Sequence, residues 1–557
     1  MSLLNVSHLT VSTASGRDLV KDITFALDVG EKLGIIGESG SGKTLTSYAI
    51  LGLLAENLHA TGSATFAERE LIGAPEKEVA PLRGDRISIV FQEPLTALNP
   101  LKRVGKQVDE VMLLHGTADK ATAAQRTKDL FAECSLPERA YEAFPHELSG
   151  GQRQRALIAM AVANNPDLLI CDEPTTALDV TVQQQIVDLI SRLTEQRGTA
   201  VLFISHDIGL VSHVCDSLIV MKDGHLVEKG ATSTLISSPA HPYTAGLVAA
   251  TDLTARDENG EFYTVSTADT YVPGVKKGVS AAPTETATAV TETAETESAE
   301  AETAASTHGP APIIVAENVS KVFTSKKLFH PAVENTALSD VSLTVTQGMQ
   351  LGIVGESGSG KSTFLRLLSG LITPTSGTIT LHGKPVDPRT VGRSVQMVFQ
   401  DPRGSLDPRM TVGRSIAEPG DVSRARVEEV LAEVGLDPSA ADKYPHEFSG
   451  GQRQRISIAR ALSVHPEVLL ADEAVSALDV SVRAQILNLL QRLSREYGLT
   501  TVFVSHDLGV IHEICSDVAV FQGGRIVERG SSDAVYTNPQ HAYTQQLLDS
   551  RLTLTTS

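Results

Sequence analysis

The chain has 557 residues, room for two to four domains that each bury a core. Its formal net charge of −20 excludes a nucleic-acid surface as the main partner, because phosphate backbones are held by Lys and Arg. No run of eighteen apolar residues occurs, and the opening MSLLNVSHLTV lacks a basic-then-apolar signal pattern; a cytosolic protein is expected, reaching a membrane only through a partner. Four cysteines without a CxxC arrangement predict a reduced compartment, buried small side chains and no metal site of their own.

In chain order, the apolar stretch Lys32 to Ile36 predicts a strand that runs into Gly37-Glu38-Ser39-Gly40-Ser41-Gly42-Lys43-Thr44 and then a helix. This is the G-x-x-x-x-G-K-[ST] pattern. Glycines let backbone N–H groups converge on phosphates, and the helix that follows points its positive end at them. Lys43 is placed to reach the β- and γ-phosphates and the Thr44 hydroxyl to ligate Mg²⁺. A plain glycine turn would need neither.

Gln92 follows a predicted strand, Ile87 to Phe91, and a helical segment leads on to Leu148-Ser149-Gly150-Gly151-Gln152, which opens another helix. The apolar run from Leu168 ends in Asp172 and Glu173. Such a run fits a parallel strand buried on both faces, so its last carboxylates emerge at the sheet edge where ligands of α/β folds sit. Ala177-Leu178-Asp179 comes next, then a strand over Ala200 to Ile204 and His206. Pro239-Ala240-His241-Pro242-Tyr243-Thr244 reads as a packed C-terminal extension.

From 251 to 312 the composition shifts to Thr, Ala, Glu and Ser. No Lys or Arg occurs from Gly278 to Ser320, while Glu285, Glu292, Glu295, Glu297, Glu300 and Glu302 are spread through it. Low hydrophobicity with one sign of charge predicts a flexible acidic tether between domains at 1–250 and 313–557.

The second domain repeats the order of the first. Strand Gln350 to Val354 leads into Gly355-Glu356-Ser357-Gly358-Ser359-Gly360-Lys361-Ser362-Thr363, and Phe364, Leu367, Leu368 and Leu371 then recur at helical spacing. Gln400 follows the strand Val395 to Phe399. Val427, Val430, Leu431 and Val434 trace one apolar stripe of a helix. Then come Phe448-Ser449-Gly450-Gly451-Gln452, Asp472 and Glu473 at the end of an apolar run, Asp479, and His506 after the strand Thr501 to Val504. Pro539-Gln540-His541-Ala542-Tyr543-Thr544 closes the copy. Ser149 and Ser449, Glu173 and Glu473, and His206 and His506 are each 300 residues apart. One nucleotide-handling module is duplicated.

This order, with its serine-glycine-glycine-glutamine signature, resembles the ATP-binding cassette ATPases over nearly the whole chain outside the tether. The resemblance implies an α/β fold of two P-loop domains, each a RecA-like core with a helical subdomain and a small antiparallel β subdomain. It also implies ATP and Mg²⁺ as ligands. Asp172 and Asp472, with Thr44, Ser362, Gln92 and Gln400, would hold the metal. Glu173 and Glu473 would act as general bases, and His206 and His506 would contact the γ-phosphate or position the base. Ser449, Gly450 and Gly451 would close over ATP held by Lys43, and Ser149, Gly150 and Gly151 over ATP held by Lys361, so that two ATP molecules join the halves. Phe323 stands where the family stacks an aromatic on adenine; near Thr13 the first copy has none. Ala474 replaces Pro174 after the second base, with little consequence expected.

The fuller motifs HELSGGQRQRALIAMAV and HEFSGGQRQRISIARAL, with the two tails, look like the paired ATPase subunits of dipeptide, oligopeptide and nickel importers, fused in one chain. The resemblance implies two permease partners whose cytoplasmic helices dock near Gln92 and Gln400, an extracellular solute-binding protein, and a place at the cytoplasmic face of the membrane. With no cysteine between Cys215 and Cys515, no iron–sulfur cluster is expected. Cargo stays open among peptides, nickel, glutathione, a siderophore or an exported compound. Tandem cassettes acting on ribosomes or DNA form a remote alternative, since their charged helical linkers or zinc-binding cysteines are missing here.

Overall fold

The computed structural model describes residues 2–176, 178–271, 311–325, 333–387, 391–476 and 478–549. In the first half, six strands form one sheet in the order 225–231, 217–222, 32–36, 200–205, 168–172, 87–90. All neighbours run parallel except His225–Ala231, which is antiparallel to Ser217–Lys222. The second half repeats this with 395–398, 468–472, 500–505, 350–354, 517–522 and 525–531. Leu168–Asp172 and Ala200–Ser205 are buried at every residue, which is why they read as continuous apolar runs rather than alternating ones.

A four-stranded antiparallel sheet flanks each core, built from 18–28, 2–13, 58–66 and 69–70 in the first half. Its inner face, with Leu4, Ile23 and Phe25, packs on Ile35 and Ile204 of the main sheet and on Ile50 of the helix Lys43–Leu51. A second apolar cluster, including Val104, Met112, Phe131 and Ile158, lies between the other face of that sheet and the helices 104–114, 120–133 and 150–161. The fold is thus two α/β cassettes, each with a β subdomain and a helical subdomain.

The helix Arg424–Glu433 buries Val427, Val430 and Leu431, with Val434 at its C-cap. The helix after the second glycine loop is shorter than its apolar spacing predicts. It ends at Leu368, Gly370 turns left-handed at φ 71°, and Leu371 is 57% exposed. A positive φ favours glycine and stops the helical register before the fourth apolar residue.

The first part of the expected tether also differs. After the helix Pro242–Thr251, residues 252–271 fold back onto it and onto the second cassette; 272–310 lie outside the described residues. Phe262 is buried in the second cassette's apolar cluster together with Ala250 and Leu253. Its N–H donates to Asn488 Oδ1 and its carbonyl accepts from Asn488 Nδ2, both at 2.9 Å. The Arg256 guanidinium lies 3.5 Å from the Phe262 ring centre and donates to the carbonyl oxygen and carboxylate of Glu513. Composition averaged over 251–312 hides the aromatic residues Phe262, Tyr263 and Tyr271 that make this fold possible. Among the described residues the contact is one-sided: Asp188 and His213, the first-copy counterparts of Asn488 and Glu513, are exposed.

Candidate functional site

Both glycine loops leave the carboxyl end of the central parallel strand, between 200–205 and 217–222 in the first copy and between 500–505 and 517–522 in the second. A Cβ on Gly37 would lie 2.2 Å from the Met221 carbonyl oxygen, and one on Gly355 2.2 Å from that of Phe521. Only glycine allows this approach. The loops then fold over their own lysines. Lys43 Nζ donates to the carbonyls of Gly37 (2.8 Å) and Glu38 (3.0 Å), and Lys361 Nζ to those of Gly355 (2.6 Å) and Glu356 (2.7 Å). Burial lowers the pKa of both ammonium groups, opposed chiefly by Glu173 and Glu473.

Thr44 Oγ1 donates to Asp172 Oδ1 at 3.0 Å and Ser362 Oγ to Asp472 Oδ1 at 2.9 Å. Burial raises Asp172 to about 6 against the opposing Thr44 bond, and raises Asp472 likewise. Asp172 Oδ2, Ser41 Oγ and Ser359 Oγ are buried without a protein partner. Orphaned polar atoms beside a lysine-lined loop fit a bound cation and phosphate oxygens.

Glu173 and Glu473 both hold φ 46°, a left-handed conformation that a non-glycine residue keeps only when its surroundings impose it. The Glu173 N–H donates to the Ile204 carbonyl of the neighbouring strand, and the Glu473 N–H to that of Val504. Each carboxylate is gripped from two sides. Gln92 Nε2 donates to Glu173 Oε2 at 2.7 Å and His206 Nδ1 stands 3.4 Å from the same oxygen; Gln400 and His506 stand at 2.7 and 3.7 Å from Glu473 Oε2. Burial would raise Glu173, but His206, Lys43 and the Thr176 hydroxyl hold it down at about 2; Glu473 is lowered in the same way. Burial disfavours protonation of His206, yet Glu173, Asp479 and Asp207 together raise its pKa.

The two copies face each other head to tail. The Ser39 N–H donates to Asp479 Oδ2 at 3.0 Å, and Asp179 acts electrostatically on Lys361 and Glu356. A cavity of about 620 Å³ lies between them, lined by Ser39, Gln92, Glu173, Asp179 and His206 from one copy and by Phe323, Ser357, Gly358, Gly360, Lys361, Ser362, Thr363, Gln400, Glu473, Asp479 and His506 from the other. The signature residues Ser149, Gly150, Gly151, Ser449, Gly450 and Gly451 lie outside this lining. Ser149 and Ser449 N-cap their helices, and Gln152 and Gln452 complete capping boxes by accepting the serine N–H at 3.1 and 3.0 Å. Phe323 is 43% exposed in the cavity wall, and Thr13 occupies the matching strand end of the first copy.

Sequence reasoning passed over several residues of the site, Arg483, Tyr243 and Tyr543 among them. Arg483 lines the cavity, as does its first-copy counterpart Gln183. The tail tyrosines reach the glycine loops: Tyr243 Oη accepts the Glu38 N–H at 3.1 Å and Tyr543 Oη that of Glu356 at 2.8 Å. The only sequence signal for them was the recurrence of the tail itself.

The fold and the doubled site define a tandem P-loop ATPase. A family model described as ABC transporter matches residues 20–176 and 338–476, and a second, described as oligopeptide/dipeptide transporter C-terminal region, matches 227–270 and 527–556. The oligopeptide transport ATP-binding protein OppD of Mycobacterium tuberculosis is 40% identical over 98% of both chains. The glutathione import ATP-binding protein GsiA of Escherichia coli K12 is 40% identical over 95% of this chain and 86% of its own. The peptidoglycan transport ATP-binding protein YejF of Agrobacterium fabrum is 38% identical over 98% of this chain and 96% of its own. The chain belongs to the ABC transporter family, as an ATP-hydrolysing subunit with both cassettes in one polypeptide.

Proposed function

We propose that the chain is the energy-coupling ATPase of a membrane importer for peptides and peptide-like solutes. The three relatives are named for oligopeptide, glutathione and peptidoglycan transport, cargoes that share peptide bonds. The catalytic part of the reading rests on one observation: in both copies a strained glutamate is held by a glutamine and a histidine beside a buried lysine.

Lys43, Lys361 and the loop N–H groups bind the phosphates. Thr44, Asp172 and Gln92, and Ser362, Asp472 and Gln400, would hold Mg²⁺, which would neutralise phosphate charge. Glu173 and Glu473, fixed by Gln92 with His206 and by Gln400 with His506, orient a water and take up its proton as it attacks the γ-phosphorus, whose bond to the bridging oxygen breaks to release ADP. The signature turns at Ser149 and Ser449 close over the opposite nucleotide, and hydrolysis releases that closure.

No helix among the described residues is long and apolar enough to cross a membrane. The subunit works from the cytoplasmic face through two permeases, fed by a solute-binding protein outside. Purified with its permeases and binding protein in lipid, it should hydrolyse ATP faster when short peptides are supplied. Stimulation by nickel ions alone would reassign the cargo; no response to any solute, with the permeases bound, would remove the coupling role.

A further inference from the structure

We propose that Tyr243 and Tyr543 are positioning residues for the two phosphate loops, their hydroxyls setting the loop conformation that receives nucleotide. Each accepts the N–H of the loop's second residue, Glu38 or Glu356. The carbonyl of that same residue accepts the loop lysine. Both polar groups of Glu38, and of Glu356, are thereby tied, one to the lysine and the other to the C-terminal region. The inference deepens the reading of 37–43 and 355–361 as phosphate loops and rests on it.

The tyrosines are themselves held by a latch that occurs twice. Glu228 accepts the N–H groups of Ala240 and His241 at 2.8 and 3.1 Å, and Glu528 those of Gln540 and His541 at 2.7 and 3.1 Å. His241 Nδ1 then accepts the Tyr243 N–H at 3.1 Å, and His541 Nδ1 the Tyr543 N–H at 3.2 Å. The rings are buried, 3% and 5% exposed, and Lys222 Nζ lies 4.9 Å from the Tyr243 ring centre. Burial raises the phenol pKa in both copies, so the hydroxyls stay neutral. Phenylalanine would fill the same space. What the hydroxyl adds is an acceptor for a loop N–H, and removing it leaves that donor without its partner. A loop freed in this way loses part of its preorganisation for phosphate, so nucleotide binding suffers before chemistry does.

The test uses the full chain with one loop disabled by Lys361→Ala, so that the first site alone reports, and compares it with the same chain carrying Tyr243→Phe; Lys43→Ala with Tyr543→Phe reads the second site. Binding of a fluorescent ATP analogue and the KM and kcat of ATP hydrolysis are measured with melting temperature. The expected result is Kd and KM raised about fivefold, equivalent to ~1 kcal/mol, with kcat and melting temperature unchanged. Affinity within twofold of the parent would overturn the positioning role, as would a loss matched by a lower melting temperature. If the double variant Lys43→Ala with Lys361→Ala still binds the analogue as the natural chain does, the assignment of the phosphate loops fails instead.

Discussion

Asp479 Oδ2 accepts the Ser39 N–H across the interface at 3.0 Å, whereas Asp179, its counterpart 300 residues earlier, turns back to accept the N–H of Val182 in its own helix. The helix Val180–Arg197 therefore has a side-chain cap and Val480–Tyr497 has none. One residue type at matching positions stabilises a helix in one copy and joins the lobes in the other. Asp179→Ala should lower stability by about 1 kcal/mol, the usual worth of an N-cap, read as a lower melting temperature. Asp479→Ala should leave melting nearly unchanged and raise the ATP concentration for half-maximal hydrolysis about fivefold, the worth of one hydrogen bond of ~1 kcal/mol.

Glu173→Gln combined with Glu473→Gln keeps the shape of both side chains but removes the charge proposed to take the water's proton. ATP turnover should fall by a factor on the order of 10² or more, with nucleotide retained and the lobes closed. Each single change should cost part of the rate, because Glu173 and Glu473 have the same two-sided grip. Steady-state phosphate release measures both, and an unchanged rate in the double variant would remove the glutamates from the chemistry.

The parts of the site legible in the sequence were those whose geometry is local. A strand, a glycine loop and a lysine within twelve residues dictate their own arrangement, and a buried apolar run ending in Asp172 and Glu173 dictates where those carboxylates emerge. The Tyr243 contact with Glu38 joins residues 205 apart and depends on how the tail helix lies against the sheet, which no periodicity encodes. The fold of 252–271 was hidden for another reason: Leu253 and Phe262 pack in the other cassette's core, while Ala255, Tyr263, Ala268 and Tyr271 pack on one another and on Ala249 of the tail helix, so the segment looks unable to bury surface when its own composition is taken alone.

Acid should release the second tail latch. Burial would raise the Glu528 pKa, but the N–H groups of Gln540 and His541 outweigh it and hold the carboxylate below its ordinary value. A carboxylate depressed in the folded state stabilises that state above its unfolded pKa of about 4.3, and this contribution disappears as pH falls through the lower folded value. Amide hydrogen exchange at Gln540 and His541, corrected for its intrinsic pH dependence, should accelerate below about pH 4. Glu528→Gln should show the faster exchange already at neutral pH, with no further step on acidification.

The base of the two lobes offers the largest single effect on stability. Phe262 from the first half is 1% exposed inside the second half's core, and Asn488 satisfies both of its backbone polar groups. Asn488→Ala leaves a buried N–H and a buried carbonyl unpaired, at about 1–3 kcal/mol. Phe262→Ala empties a ring-sized space and also removes the surface on which Arg256 stacks, at about 3–5 kcal/mol. Both should lower the melting temperature of the second cassette, and trypsin should begin to cut after Arg256, which in the native chain is shielded by Phe262 and Glu513. Asp188→Ala, at the matching exposed position of the first copy, should change neither property, because among the described residues no strap lies on that helix. Equal effects from Asp188→Ala and Asn488→Ala would mean that the helix itself, rather than the contact with Phe262, carries the stability.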